Sequence, residues 1–303
     1  MAEIRPVEDD AALARAVEIA NEVKPDAALT LDERRQILAA LPRNRTFLAF
    51  AGGTAIGTGS GMFHPGSPRP VVRNLVLPAA RRRGVGTALY RAISEWAAGE
   101  GADRLEARAH EADPAGITFA ERRGFQEVSR EISAVLDLDA IQPPAVTFPD
   151  GVAIVPWSER LELAPGLYAV YAEATPDIPG NEESVEPYEE WLALHMHGPG
   201  DRADATFVAV AGADVVGFAK LSLTDAQPET AYHDLTGVKR AWRGRGVATA
   251  LKATQIAWAK RAGYRRLSTA NEERNAPIRH LNERFGYLPG PAEILFRGPL
   301  ADG

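Results

Sequence analysis

The sequence predicts a mixed α/β chain of two tandem domains, each a mixed, mostly antiparallel sheet flanked by helices. Two observations predict it: an internal repeat, and the same order of strands and helices in both copies. The segment RRRGVGTAL, residues 81–89, returns as RGRGVATAL, residues 243–251, 162 positions later. At this offset, residues 75–125 and 237–287 are identical at 18 of 51 positions. Self-similarity over such a length indicates a duplicated structural unit.

The repeat extends upstream of these segments. TFLAFAGGTAIG, residues 46–57, matches TFVAVAGADVVG, residues 206–217, at an offset of 160. The repeating unit is therefore a whole domain. Between the copies, residues 141–151 carry three prolines, which disfavour helix and interior strand. We expect domains at 1–140 and 152–303 joined by this linker, the alternative being a proline-rich surface loop.

Each copy has the same predicted elements. A short strand opens the domain, at residues 3–7 and 152–157, and helical stretches such as 9–23 follow. Glycine-rich turns at 52–53 and 212–214 predict a hairpin. The next strand, helix and strand fall at 71–77, 86–98 and 104–109, and again at 231–238, 248–262 and 266–270. A last helix ends before Gly124 or Gly286, since glycine suits a helix C-terminus.

Composition restricts the function classes. The chain is 45% hydrophobic and 25% charged, as in globular proteins, and no apolar run reaches the roughly 18 residues of a membrane helix. The acidic start MAEIRPVEDD does not resemble a signal peptide, so we expect a cytoplasmic protein without a membrane partner. A net charge of -7 disfavours nucleic-acid binding and suits a cationic amine.

Residues suited to binding a metal are few. The absence of cysteine excludes disulfides, thiolate nucleophiles and thiolate-bound zinc. His195 and His197 are two positions apart, which places them on different faces of a helix. We therefore expect no metal site.

The repeated loop has the pattern of an anion site. It follows a strand, alternates glycine with arginine and opens a helix, so unpaired backbone N–H groups and the positive helix end converge there. Gly84 with Gly86, and Gly246 with Ala248, leave room for a pyrophosphate near the backbone. Other nucleotide sites and purely structural turns share such loops, but neither copy has a P-loop ending or G-x-G-x-x-G.

At these residues the chain resembles the GNAT superfamily of N-acetyltransferases, whose loop reads Q/R-x-x-G-x-G/A. The opening IRPVEDD, the hairpin, and the endings RRGF (122–125) and RFGY (284–287) are also similar. The second half, with LTGVKRAWRGRGVATALK and NEERNAPIRHLNERFGY, is similar to tandem members in a mycothiol synthase-like arrangement. The resemblance covers nearly the whole chain.

The resemblance implies acetyl-CoA as co-substrate. Its pantetheine arm would pair with the main chain of Val76 and Leu77, or of Val238 and Lys239. Its pyrophosphate would lie on one of the two loops, formed by Arg81, Arg82, Arg83, Gly84, Val85, Gly86 and Thr87, or by Arg243, Gly244, Arg245, Gly246, Val247, Ala248 and Thr249. Asn275 matches a family asparagine beside the cofactor, where the first copy has Asp113. This difference favours the second domain for catalysis.

Catalytic side chains are harder to assign. Many relatives carry a tyrosine acid four residues before the helix-ending glycine, where this chain has Ala120 and Asn282. On the strand before the second loop, His233 and Asp234 point to opposite faces, and His233 is our candidate base, with a structural histidine as the alternative. Tyr287 is a further candidate, or else a core aromatic aligned with Phe125.

These features predict an enzyme that transfers an acetyl group to a primary amine of a small molecule. A protein N-terminus or lysine is a second acceptor class, and a third hypothesis is an acyl-CoA-binding scaffold or sensor without catalysis. The acidic segment 177–191 is a candidate for amine recognition, or else a solvated helix face. The sequence leaves the oligomeric state open, with a homodimer as one option.

Overall fold

A computed structural model describes residues 2–179 and 185–301. The described residues form two compact units. The first contains the chain as far as Arg130 together with the residues from Ala292 onward. The second runs from Glu131 to Pro291.

Strands and helices are numbered along the chain. The strands are β1 (Glu3–Pro6), β2 (Asn44–Ala51), β3 (Thr54–Phe63), β4 (Pro70–Val76), β5 (Arg104–His110), β6 (Gln126–Asp137), β7 (Ala153–Pro156), β8 (Asp201–Ala211), β9 (Asp214–Ser222), β10 (Thr230–Val238), β11 (Arg266–Glu272) and β12 (Leu288–Pro299). The helices are α1 (Asp10–Val23), α2 (Leu31–Ala40), α3 (Val85–Gly99), α4 (Pro114–Glu121), α5 (Ala164–Ala174), α6 (Tyr188–His195), α7 (Val247–Arg261) and α8 (Ala276–Arg284). The predicted mixed α/β fold is confirmed.

Each unit has one sheet with a single parallel pair. The order is β1-β2-β3-β4-β5-β12 in the first unit and β7-β8-β9-β10-β11-β6 in the second. The parallel strands β4 and β5 pair only at Val71–Glu106 and Val72–Ala107, although β4 continues to Val76. Strands β10 and β11 likewise pair only from Thr230–Arg266 to Tyr232–Ser268. Beyond these pairs the strands splay apart toward the glycine loops.

The last strand of each repeat pairs with a strand of the other repeat. Strand β12 pairs with β5 from Glu293–His110 to Pro299–Arg104. Strand β6, its counterpart in the first repeat, pairs with β11 from Glu131–Glu272 to Asp137–Arg266. The compact units therefore differ from the expected ranges 1–140 and 152–303 in these segments. A sequence repeat shows which segments share a conformation, but not which copy of a neighbouring strand each one pairs with.

Local sequence explains the helices that cover the sheets. Asp9 caps α1 by accepting from the Ala12 N–H at 2.8 Å, and Thr30 forms a capping box with Glu33 at the start of α2. On α3, Leu89 and Ile93 lie four residues apart on one helical face, and both are buried. Within the described residues, the helices are too short or too polar to cross a membrane.

Candidate functional site

The two glycine loops have the same backbone. Gly84 caps α3 with φ 80° and Gly246 caps α7 with φ 85°, a left-handed conformation that glycine adopts without steric cost. Two residues earlier, Arg82 has φ 62° where the second loop has Gly244 at φ 73°. An arginine in this region costs roughly 1 kcal/mol, a cost that the glycine of the second loop does not carry.

The first arginine of each loop bonds back to the preceding strand. Arg81 Nε donates to the Val76 carbonyl at 3.0 Å, and Arg243 Nε donates to the Val238 carbonyl at 3.1 Å. A Cβ built on Gly84 would meet no atom within 4 Å, so the surface of the loop is open. Open N–H groups at a glycine-capped helix start fit a pyrophosphate in both units.

At the ends of β4 and β10, only one residue of each predicted pair has its main chain facing the gap between the separated parallel strands. The Leu77 N–H already donates to Ile56 O at 3.0 Å, and the Lys239 N–H donates to Val216 O at 3.0 Å. Main-chain groups alternate sides along a strand, so the neighbouring Val76 and Val238 face the opening. The N–H groups of these two residues are placed to pair with an extended ligand, whereas their carbonyls already accept from Arg81 and Arg243.

The loops differ in charge. Asp177 accepts ion pairs from Arg240 and Arg243, each at 2.7 Å, and hydrogen bonds from these two guanidinium groups lower the pKa of Asp177 to about 2. The Arg245 guanidinium lies 5.0 Å from the centre of the Trp242 ring. Within the described residues, the arginines of the first loop form no ion pair: Arg81, Arg82 and Arg83. The first loop therefore carries more uncompensated positive charge.

The helix starts that follow the loops also differ. Thr87 accepts a hydrogen bond from Arg123 Nη2 at 2.6 Å, whereas Thr249 lines a cavity of about 220 Å³ with Ala145, Thr147, Ala250, Ala253, Arg284 and Phe285. A Cβ on Gly86 would lie 3.1 Å from Phe119 Cε2, and the second unit has Ala248 there. Val85 and Val247 are buried. The second unit thus has more space beside its helix.

The two residues at the next helix start have different environments. Asn275 precedes α8 and its side chain makes no capping hydrogen bond. Asp113 caps α4 by accepting from the Gly116 N–H at 3.1 Å. Among the described residues, the Asn275 amide thus differs from the Asp113 carboxylate, which is engaged with its own helix.

His233 and Tyr287 lie together in the core of the second unit. Each is 3% exposed, and their ring centres are 5.7 Å apart. His233 Nδ1 is 3.0 Å from Gln255 Oε1, and burial, with a smaller effect of the Lys252 charge, holds the pKa of His233 well below its usual range. Burial likewise raises the pKa of Tyr287. The structure brings both candidates together, although both are shielded from solvent.

Beside them lies a buried polar chain that the sequence analysis missed. Lys252, 1% exposed, donates to Asn282 Oδ1, and Asn282 Nδ2 donates to Asn271 Oδ1 at 2.6 Å. Desolvation lowers the pKa of Lys252 to about 7. The first repeat has Tyr90, Ala120 and Ala109 at the aligned positions. A position-by-position comparison of the two repeats, looking for polar residues in place of apolar ones, would have revealed these three residues.

The first unit has a cavity where the second is filled. About 50 Å³ in volume, it lies between α1, α2 and the sheet, with an apolar wall that includes Val17 and Leu75. The polar side is formed by Asn21, Arg34, Thr46, Thr58, Ser60 and Arg73. The corresponding face of the second unit is packed with Tyr171, Trp191 and Phe218. Trp191 is fully buried.

The acidic segment 177–191 lies partly outside the described residues, at 180–184. Its described carboxylates include Asp177, paired as above, and Glu186, which accepts from the Tyr171 hydroxyl at 2.8 Å and lies 3.0 Å from His195 Nε2. His197 stacks on Trp157 with ring centres 6.1 Å apart. Within the described residues, no three His, Asp or Glu side chains group as metal ligands.

Comparison with known proteins identifies the fold. The model of the acetyltransferase (GNAT) family matches residues 13–125 and again residues 165–287. The chain belongs to this family. GNAT acetyltransferases use acetyl-CoA as co-substrate, so the two loops of this acetyltransferase are its candidate acetyl-CoA sites.

Individual relatives support the tandem arrangement. The GNAT chain is 26% identical over 240 residues to a mycothiol acetyltransferase of Catenulispora acidiphila, covering 75% of this chain and 72% of that protein. A tandem GNAT protein from the clavulanic acid biosynthesis pathway superposes with a TM-score of 0.81, at 22% identity over the full length of both chains. A GNAT structure from Sphaerobacter thermophilus gives 0.78 at 20% identity, covering 100% of this chain and 96% of that one.

Proposed function

We propose that this acetyltransferase transfers the acetyl group of acetyl-CoA to a primary amine of a small molecule by direct attack. The observation that carries the proposal is the glycine-capped loop beside splayed parallel strands, present twice. The amine lone pair attacks the thioester carbonyl carbon, and the C–S bond breaks with its electron pair going to sulfur. The proton lost by the nitrogen passes to the departing thiolate, directly or through water. The relative named as a mycothiol acetyltransferase supports a small-molecule acceptor.

The cavity of the first unit supports this unit as the site of acetyl transfer. Direct attack requires room for the amine next to the thioester, at the end of the splayed strand. The cavity of the first unit reaches Leu75 on β4, one residue before Val76. In the second unit Trp191 and Phe218 fill the corresponding face. The arginines of the first loop, which form no ion pair among the described residues, favour the same unit because they attract a pyrophosphate.

The second unit, which the sequence favours, is the other candidate. The Asn275 amide, which caps no helix in the described structure, and the cavity beside Thr249 support a cofactor there. His233 as base and Tyr287 as acid belong to this candidate and stay predictions, since both are buried and Gln255 already occupies one nitrogen of His233.

Matched aspartate and asparagine substitutions in the two loops test which unit is the site of acetyl transfer. Gly84→Asp and Gly246→Asp place a negative charge where the pyrophosphate would bind, and Gly84→Asn and Gly246→Asn have the same shape without the charge. Aspartate and asparagine both tolerate left-handed backbone. We expect Gly84→Asp to raise the KM for acetyl-CoA about tenfold above that of Gly84→Asn, with no such gap between the Gly246 variants. A gap only at Gly246 would assign transfer to the second unit.

Thiol release with a panel of amines tests the activity itself. Transfer to small amines supports the proposal, and transfer only to peptide amines would assign a protein acceptor. Calorimetric binding of acetyl-CoA without release of thiol on any amine would favour a scaffold or sensor. A cytoplasmic location, a homodimer and the lack of nucleic-acid partners stay predictions from the sequence.

A further inference from the structure

Three neighbouring strands of the first unit place polar side chains side by side on the face that α1 and α2 cover. Thr46 on β2 is opposite Ser60 on β3, and Ser60 is opposite Arg73 on β4. Arg34 on α2 reaches the same place, with Nη2 3.4 Å from Thr46 Oγ1. We call Thr46, Ser60 and Arg73, together with Arg34, the polar row; it lines the cavity of the first unit.

The polar row holds two positive charges without a negative one. Within the described part of the chain, neither Arg34 nor Arg73 forms an ion pair with a carboxylate, although many arginines of this chain do. Burial, and secondly the nearby charge of Arg73, lower the pKa of Arg34 to about 10. Two guanidinium groups that repel each other beside a cavity are stabilised by an anion that binds between them.

The second unit contains the same row in a neutralised form. Thr206 is opposite Lys220, and Lys220 is opposite Leu235. The Lys220 ammonium is 2.7 Å from carboxylate oxygens of both Asp201 and Asp234. Asp234 sits where the register shifts between His233 and Leu235, so this carboxylate is supplied by a residue inserted into the strand. The second unit provides its own anions, whereas no carboxylate among the described residues pairs with Arg34 or Arg73 in the first unit.

We propose that the cavity of the first unit binds a carboxylate of the acceptor, so that the substrate is an amine that also bears a carboxylic acid. This inference rests on the proposed function, because it names the acceptor class for transfer in the first unit. Planar guanidinium groups match a carboxylate with two parallel hydrogen bonds, and the Ser60 and Thr46 hydroxyls can donate to the same oxygens. The amine then extends along β4 toward Leu75 and the splayed strands.

Matched acceptors test the proposal. Linear ω-amino acids of increasing length are compared with their carboxamides, which have the same shape without the charge. We expect the wild-type enzyme to use at least one acid with a kcat/KM about tenfold or more above that of its amide. Arg34→Met and Arg73→Met should each remove this preference, and Arg34→Lys should keep part of it. Arg91→Met removes one exposed arginine of α3 outside the cavity and should leave the preference unchanged.

A variant that imitates the second unit provides an independent test. Ser60→Asp places a carboxylate in the polar row, as Asp201 and Asp234 do around Lys220, and should abolish the preference for acids even if Arg34→Met fails to fold. Binding without turnover is measured by calorimetry with the N-acetylated ω-amino acids. Binding to the wild type that Ser60→Asp abolishes supports the anion site, even if no amine is acetylated.

The two proposals fail in different ways. Acetylation of amines with equal rates for acids and amides, or an acid preference that survives both Arg34→Met and Ser60→Asp, would overturn the carboxylate site and leave the acetyltransferase activity standing. Neither acetylation nor binding of any N-acetylated acid would overturn both.

Discussion

Lys252 makes the stability of the second unit depend on pH. Its ammonium is buried on α7, with Asn282 Oδ1 as acceptor and the Tyr287 ring 5.0 Å away, and no carboxylate forms an ion pair with it within the described residues. Lys252→Met keeps the length and volume of the side chain and removes the titrating group. We expect this variant to lose a rise in stability that the wild type shows in mildly alkaline solution.

The pKa shift gives the magnitude. The folded chain lowers the pKa of Lys252 from 10.5 to about 7. Between these values the unfolded chain binds a proton that the folded chain does not, so raising the pH stabilises the folded state. One pKa unit corresponds to about 1.36 kcal/mol, and the free energy of unfolding should therefore increase by about 2 kcal/mol from pH 7 to pH 9. Below pH 7 both states are protonated and the effect levels off.

Urea unfolding followed by tryptophan fluorescence measures this effect. Four of the five tryptophans report on the second unit: Trp157, Trp191, Trp242 and Trp258. The quantity of interest is the difference in unfolding free energy between the wild type and Lys252→Met at each pH, which cancels other titrating groups. Lys24→Met, in the first unit, controls for the loss of one lysine.

The result that refutes this reasoning is a constant difference between wild type and Lys252→Met from pH 7 to pH 9. It would mean that Lys252 keeps its proton in the folded state, stabilised by the Asn282 amide and the Tyr287 ring. A lower overall stability of the variant would not decide the question, because Asn282 Oδ1 also loses its donor.

Two further substitutions test other parts of the structure. Asp177→Asn should release Arg243 and tighten acetyl-CoA binding to the second loop about two- to fivefold, measured by calorimetry in a Gly84→Asp background; unchanged affinity would show that the ion pair does not compete with the cofactor. Gly298→Ala places a Cβ 2.2 Å from Phe125 Cγ and should cost about 1–3 kcal/mol of unfolding free energy, whereas Gly99→Ala, with no atom within 4 Å, should be neutral or slightly stabilising; equal melting temperatures would contradict the packing.

Most of the fold could be predicted from the sequence because it rests on local signals. The alternating strands, the glycine turns and the loop before each long helix depend on residues near one another in the chain. Predicted strand and helix limits agree with the structure within a few residues, as for 71–77 against Pro70–Val76. The pairing of β6 and β12 could not be predicted, because both strands fit either sheet equally well by pattern alone.

The candidate site was predictable in part for the same reason. The loop residues share one stretch of chain, and their left-handed glycines follow from the pattern. The polar row joins residues from three strands and a helix, and its interpretation as an anion site depends on the absence, among the described residues, of a carboxylate paired with the two arginines. Only the three-dimensional structure shows this. The burial of His233 was likewise invisible, since a histidine in a strand has no local signal for the helix that covers it.

The exchange of last strands has a consequence for how such a chain arises and how it can be divided. Cutting the polypeptide at residues 141–151 would leave each fragment with the final strand that its partner fragment needs, so the fragments should be soluble together and poorly folded apart. Two identical single-repeat chains that traded their final strands would form a symmetric dimer with the same pairing. Joining the genes of such a pair end to end would give a tandem chain with the strand pairing seen here.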